Sequence, residues 1–252
     1  MIFSGRTALV TGGGSGLGAT IARRLHAEGA SVVLVGRRPE PLRQLAADLG
    51  EGRADWRVCD VAEVAAVAEL AASLTATEIS ILINNAGVGG PVAELVDVDP
   101  TAWDDVFAVN VRGVFLLCRA FLPAMIAAGR GDVINLASVS GKRPLIRRTP
   151  YCASKMAVIG LTSTLAFEVG PSGVNVNSLS PGPVSGDRMH RNFTLESART
   201  GVSYEAAQQA FVSRAALGRM VEADEVAQAV VAMLQMPGLC GADVDLSAGM
   251  VA

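Results

Sequence analysis

Two side chains raise the first chemical question. Tyr151 and Lys155 stand four residues apart in the stretch TPYCASK, Thr149 to Lys155. On a helix that spacing places both on one face. A free phenol has a pKa of about 10 and is a poor base at neutral pH. A neighbouring ammonium stabilises the phenolate and brings the group nearer the working pH. Moving it by about three units requires roughly 4 kcal/mol of differential stabilisation. One exposed ion pair does not supply that; a pair in a closed, poorly hydrated cleft can. The spacing therefore permits general acid–base chemistry, provided the two groups share a sheltered site.

A second stretch with chemical capacity is VTGGGSGLGAT, Val10 to Thr20. It follows an apolar run and opens a helical pattern. Its glycines let the backbone approach an anion closely, and the helix start offers unpaired N–H groups to a pyrophosphate. The pattern is best written T-G-x-x-x-G-x-G, carried by Thr11, Gly12, Gly16 and Gly18. In dinucleotide folds an acid at the end of the second strand holds the adenosine ribose of NAD. Here that position is Gly36, followed by Arg37 and Arg38. A cationic fork suits a 2′-phosphate, so NADP is expected over NAD. Ser15 stands where a basic residue of the glycine loop would have strengthened that expectation.

Elements to position these groups follow from the apolar pattern. Strands are expected at Thr7 to Gly12, Ala30 to Gly36, Asp55 to Asp60, Ile79 to Gly87, Gly131 to Ser138, Gly173 to Gly182 and Ala242 to Leu246. Helices are expected near 16–28, 40–49, an Ala-rich stretch ending at Leu74, 100–128, 151–169 and 222–234. This alternation predicts a single α/β domain over residues 1–252, a doubly wound parallel Rossmann-type sheet of about seven strands with helices on both faces. The strands read as continuous apolar runs, as strands covered on both sides do. Residues 183–219 interrupt the rhythm with polar sequence and are expected to form a lid or substrate loop. Within it, Met189, Phe193, Phe211 and Met220 are candidates for an apolar wall.

Composition narrows the function classes. Half of the 252 residues are hydrophobic, the net charge is −3, and no long basic run occurs, so no nucleic-acid partner is expected. No unbroken apolar run approaches the roughly 20 residues of a membrane span, and the N-terminal stretch lacks the pattern of a signal peptide. Cys59, Cys118, Cys152 and Cys240 are scattered, and His26 and His190 are the only histidines. No metal site is expected, and a reducing, cytoplasmic setting fits.

The motifs, taken in order, resemble the short-chain dehydrogenases/reductases along almost the whole chain. TGGGSGLG matches the family's cofactor loop, CDV with Asp60 its acid near the adenine, and NNAG at Asn84 to Gly87 the motif after the fourth strand. NVRG brings Asn110, NLASVSG brings Ser138, YCASK brings Tyr151 and Lys155, and SPGPV brings Pro181 and Gly182. The resemblance implies that Tyr151 exchanges a proton with an alcohol or carbonyl oxygen while Ser138 bonds that oxygen. Lys155 also holds the nicotinamide ribose, and Asn110 anchors a water of a proton relay. Further cofactor contacts are implied for Gly12, Ser15, Gly16, Leu17, Gly18, Arg37, Arg38, Asp60, Val61, Asn85, Ala86, Gly87, Pro181, Gly182 and Val184. Asn84 and Asn85 have an equal case as structural residues.

The implied activity interconverts a secondary alcohol and a ketone by direct hydride transfer with NAD(P), on a small-molecule substrate. An NAD-linked polyol or hydroxy-acid dehydrogenase and a non-catalytic dinucleotide-sensing protein stand as alternatives. One departure concerns Gly186, which occupies the place of a threonine that bonds the nicotinamide carboxamide in many members; Ser185 is the substitute at hand. Lys142, Arg143, Arg147 and Arg148 precede the tyrosine, and one or more of them facing the cleft would favour an anionic substrate. A homotetramer is the implied assembly, through helices near 100–128 and 151–169 and the C-terminal segment.

Overall fold

Strand β1 (Thr7–Thr11) is apolar on both of its faces. Leu9 enters one hydrophobic core while Ala8 and Val10 enter the other. Successive strand residues point to opposite sides, so a run without polar positions needs a cover on each side. The computed structural model, which describes residues 1–50 and 52–250, supplies both covers. Strands β2 (Ser31–Gly36), β3 (Ala54–Val58), β4 (Ile79–Asn84), β5 (Gly131–Leu136), β6 (Val174–Pro181) and β7 (Asp243–Leu246) complete a parallel sheet in the order β3-β2-β1-β4-β5-β6-β7.

Helices α1 (Gly16–Ala27), α2 (Pro39–Leu49) and α9 (Ala223–Leu234) cover one face through Ile21, Leu25, Leu42, Val226 and Val230. Helices α3 (Val64–Ser73), α5 (Gly113–Ala128) and α6 (Thr149–Val169) cover the other through Leu70, Leu117, Phe121, Met125 and Val158. Strand order reverses between β1 and β4, and in open parallel sheets the cleft at the carboxyl ends beside such a point is the ligand site.

Three expectations change. The helix expected over 100–128 is divided: α4 (Pro100–Phe107) passes into a π-turn at Ala108–Arg112 before α5 begins. The segment 183–219, expected as a lid or substrate loop with no helix assigned to it, carries α7 (Asp187–Thr200) and α8 (Tyr204–Val212) over most of its length. Two helical stretches, Pro100–Ala128 and Thr149–Ser172, are also long and apolar enough by composition to cross a bilayer, with mean hydropathies of 1.7 and 1.2 over their most apolar windows. Counting unbroken runs missed them because Asp104, Asp105, Asn110 and Arg112 punctuate the first. Both stretches contribute to the core on one face of the sheet, through Leu117, Phe121, Val158 and Ala166.

Candidate active site

A cleft of about 2030 Å³ opens at the carboxyl ends of the strands. The glycine loop forms one wall. Gly12 has φ +64°, and a Cβ on Gly18 would stand 2.2 Å from the Gly12 carbonyl oxygen, so close packing here excludes any side chain. Ser15 caps α1 in extended backbone without a side-chain cap bond, and no acid lies in the first helical turn. The helix start thus keeps donors and a partial positive charge for an anion. Ser15, Gly16, Leu17 and Gly18 all line the cleft, as do Arg37 and Arg38. Arg38 donates to the Ser15 hydroxyl at 3.2 Å, bringing a guanidinium to the glycine loop.

Thr11 organises the next part. Its Oγ1 accepts from the backbone N–H groups of Asn85 and Ala86, both at 3.0 Å, and Asn85 Nδ2 donates to the Thr11 carbonyl at 2.9 Å. The end of β1 therefore fixes the turn that carries Asn85, Ala86 and Gly87 into the cleft wall. Asn84 points into the interior, where Nδ2 donates to Asn135 Oδ1 at 2.8 Å and Asn135 donates to Thr162 at 2.9 Å. This chain braces β4, β5 and α6 beneath the site. Asp60 accepts from the Ala62 N–H at 3.0 Å, and Asp60 and Val61 line the same end.

Ser138 follows β5 in extended backbone, and its Oγ accepts from Ser140 N–H at 3.2 Å. The turn after it packs tightly on α6: a Cβ on Gly141 would meet Met156 N at 2.9 Å. Tyr151 and Lys155 are buried to 7% and 6% exposure, and both line the cleft with Ser138. Lys155 Nζ lies 5.9 Å from the Tyr151 ring centroid and donates to the Leu136 carbonyl at 2.6 Å. The spacing of four has put phenol and ammonium on one face, both largely buried in the cleft wall.

Asn110 is buried one layer behind the cleft rather than in its lining. Its Oδ1 accepts from Val88 N–H at 2.8 Å, and its Nδ2 donates to the Val88 carbonyl and to Ser154 Oγ, each at 3.0 Å. Ser154 donates in turn to the Tyr151 carbonyl at 2.8 Å. The π-turn widens the helix at Asn110, a local distortion common at functional sites. Ser154 is a participant that motif reading passed over, although it sits inside YCASK.

The remaining sequence candidates separate. Pro181, Gly182 and Val184 line the cleft. Ser185 lines it too, but its hydroxyl donates to Glu222 at 2.7 Å, so its hydrogen is turned from the position expected of a threonine substitute. Met189, Phe193 and Phe211 form part of the wall, whereas Met220 does not. His190 and Tyr204 bond to each other at 3.0 Å and stay outside the lining. Lys142 leaves the basic group to pair with Asp243 and Asp245 on β7, while Arg143, Arg147 and Arg148 face the cleft. Arg214 and Met250 join them from elements that motif reading did not connect to the site. Burial, then the charge of Arg143, holds the Arg214 guanidinium below its ordinary pKa.

The short chain dehydrogenase family model matches residues 6–197. The chain belongs to that family. It is 41% identical over 194 residues to a D-threitol dehydrogenase of Mycolicibacterium smegmatis, covering 74% of this chain and 73% of that protein. It is 33% identical over 250 residues to 2-(S)-hydroxypropyl-CoM dehydrogenase 3 of Xanthobacter autotrophicus, covering 96% and 95%. Among solved structures, an actinorhodin polyketide ketoreductase variant with NADPH superposes with a TM-score of 0.92 at 33% identity, over 97% of each chain. NAD+-bound xylitol dehydrogenase gives 0.93 at 29% identity, over 98% of this chain and 99% of that one. The protein is an NAD(P)-dependent oxidoreductase of the secondary alcohol and ketone class. The glycine cradle, the uncapped start of α1 and the paired arginines fit a dinucleotide.

Proposed function

We propose that this short chain dehydrogenase is an NADP-preferring ketoreductase in which Tyr151 is the general acid and base. The supporting observation is the convergence of Ser138, Tyr151 and Lys155 on one sheltered cleft, with the ammonium 5.9 Å from the phenol ring. The nicotinamide, when bound, supplies the hydride in reduction and accepts it in oxidation. Tyr151 gives its phenolic proton to the substrate oxygen in reduction and takes it back in oxidation. Ser138 holds that oxygen by a hydrogen bond, which fixes the reacting carbon. Lys155 stabilises the phenolate and would hold the nicotinamide ribose. Asn110, whose amide is engaged by Val88 and Ser154, would anchor the water of the proton relay.

NADP preference is favoured by Arg37 and Arg38 at a rim where Gly36 brings no carboxylate. Gly12, Ser15, Gly16, Leu17 and Gly18 would hold the pyrophosphate end. Asp60 and Val61 would meet the adenine. Asn85, Ala86, Gly87, Pro181, Gly182 and Val184 would meet the nicotinamide half. The α7–α8 unit is the substrate lid. A second reading, an NAD-linked polyol dehydrogenase, draws on the likeness to D-threitol dehydrogenase.

Phe115, Met156 and Phe167 are exposed on α5 and α6, which favours pairing with further copies, and a homotetramer is the assembly we propose. The four cysteines are unpaired thiols, which favours the cytoplasm. A carbonyl and alcohol panel run with NADPH and NADH, read by the absorbance of the reduced nicotinamide, tests the proposal. Tyr151→Phe is expected to lower kcat by roughly 100- to 10,000-fold with cofactor affinity retained. Equal turnover by that variant refutes the role.

A further inference from the structure

Four of the arginines lining the cleft, Arg143, Arg147, Arg199 and Arg214, are held in two ways. Arg147 faces Glu94 at 3.8 Å and donates to the Val92 carbonyl, and Arg199 pairs with Glu196. Those charges have acids beside them. Arg143 and Arg214 have none among the described residues. Arg143 donates one N–H to the Met250 carbonyl, and Arg214 lies over the Phe211 ring, 5.5 Å from its centroid. Each guanidinium carries five N–H donors, so most remain available for an acceptor.

The two cations come from distant parts of the chain, one from the turn after Ser138 and one from the end of α8, and both line the same cleft as Tyr151. One apolar cluster, Val139, Ala215, Met250 and Phe211, brings them together, since Arg143 bonds to Met250 and Arg214 lies over Phe211; the Arg143 charge also adds to burial in lowering the Arg214 pKa. Two like charges held together in a partly apolar wall cost free energy unless an anion joins them. Val139, Phe193, Phe211 and Met250 form apolar lining in this region. The pocket thus offers hydrophobic surface together with a fork of cations.

Resting on the ketoreductase reading above, we infer that Arg143 and Arg214 form a binding subsite for an oxyanion, carboxylate or phosphate, carried by the substrate at a distance from its reacting carbon. The substrate class is then a ketone, or its alcohol, with an apolar spacer and a terminal acid group. Planar guanidinium forks match such groups geometrically, and their charge-assisted hydrogen bonds are stronger than neutral ones.

The test uses straight-chain keto acids of graded length, their neutral methyl esters and keto-alkyl phosphates, with NADPH as cofactor. For the wild type, kcat/KM is expected to be at least about tenfold higher for the acid than for its ester at the best chain length. Arg143→Gln and Arg214→Gln are each expected to lower that acid-to-ester ratio roughly 10- to 100-fold, the effect of a lost charge-assisted contact. Arg143→Lys and Arg214→Lys are expected to restore part of it, which guards against a folding defect in the Gln variants. The phosphate arm separates the two anions: whichever class keeps the larger ratio is the better match. An acid-to-ester ratio that both Gln variants leave unchanged overturns the subsite.

If no ketone of the panel turns over with NADPH or NADH, the ketoreductase reading fails separately. The subsite is then read by calorimetric titration of the keto acids into NADPH-loaded wild type and the Arg143→Gln/Arg214→Gln double variant. Weaker binding by the double variant supports the subsite; equal binding overturns it.

Discussion

Replacing Lys155 with methionine keeps most of the apolar stem and removes the charge beside Tyr151. Taking 5.9 Å as the separation and an effective dielectric of about 20, the Coulomb interaction with a phenolate is about 3 kcal/mol. That corresponds to roughly 100-fold in the phenol ionisation equilibrium. In the proposed mechanism alcohol oxidation needs the phenolate as base, so kcat/KM near neutral pH should fall by about that factor. The loss should shrink as pH rises, because without the cation the phenol ionises at higher pH. The limb of the pH profile governed by the base therefore moves to the alkaline side. The assay is alcohol oxidation from about pH 6 to pH 10 at saturating cofactor, which separates this effect from weakened ribose binding. The substitution also removes the donor to the Leu136 carbonyl, whose 2.6 Å bond lies in a buried setting. A stability loss of about 1–3 kcal/mol should accompany the change and is checked by thermal unfolding. A loss of activity below about threefold, with an unmoved profile, would refute electrostatic activation of the tyrosine.

Thr11→Val leaves the Asn85 and Ala86 N–H groups without their acceptor, and is expected to cost about 1–3 kcal/mol by urea denaturation and to weaken cofactor binding in a fluorescence titration. Ser154→Ala cuts the link between Asn110 and the Tyr151 carbonyl; stability should drop by about 1 kcal/mol and kcat should fall severalfold while KM holds in steady-state kinetics. Burial pushes the Cys118 thiol up to about 12, against an ordinary value of 9.0. The unfolded thiol ionises first as pH rises, so the associated stability is full below pH 9 and is lost progressively from there towards pH 12. Urea midpoints at about pH 8 and about pH 10.5 should differ less in Cys118→Ala than in the wild type, and an unchanged difference counts against this origin.

The sheet was legible because its central strands β1, β2 and β4 are apolar on both sides, and a layered parallel sheet hides such runs. The π-turn was not legible. Ala108 to Arg112 contains no glycine or proline, and nothing in AVNVR distinguishes a π-turn from an α-turn. What accompanies it is tertiary: Asn110 within the turn bonds to Val88 and Ser154, 22 and 44 residues away. Helices α7 and α8 were hidden by composition, since α7 is largely polar and buries few side chains. One signal was nevertheless present, because Ser203 caps α8 by accepting from Ala206 N–H at 3.1 Å, and serine at a helix start is readable.

The candidate site divides along the same line. Tyr151, Lys155, Ser138 and the glycine loop carry local spacing that sequence preserves. Lys142 was grouped with its basic neighbours, yet its direction is decided by Asp243 and Asp245, about a hundred residues away. The partnership of Arg143 with Arg214 depends equally on separated segments, and no local pattern announces it.

The two ends of the cleft are held in different ways, and this bears on how substrate choice can change. The reacting end is built on strand termini and on α6, whose side chains belong to the main cores. The α7–α8 unit, the proposed lid, instead holds itself together. Phe193 meets Phe211 and Tyr204 edge-on, with ring centroids 5.7 Å and 5.9 Å apart, and His190 bonds to Tyr204. Most of its remaining surface is exposed. Substitutions on this unit disturb few contacts with the sheet, so their stability cost stays local. The wall facing the substrate can therefore vary in shape and charge while the geometry at Tyr151 is preserved. In this chain that variable wall carries Arg214, whereas Arg143 stands on the turn beginning at Ser138. A substrate gripped by both would bind the adjustable lid to the fixed chemistry, and lid closure would then depend on the anion at the substrate's far end.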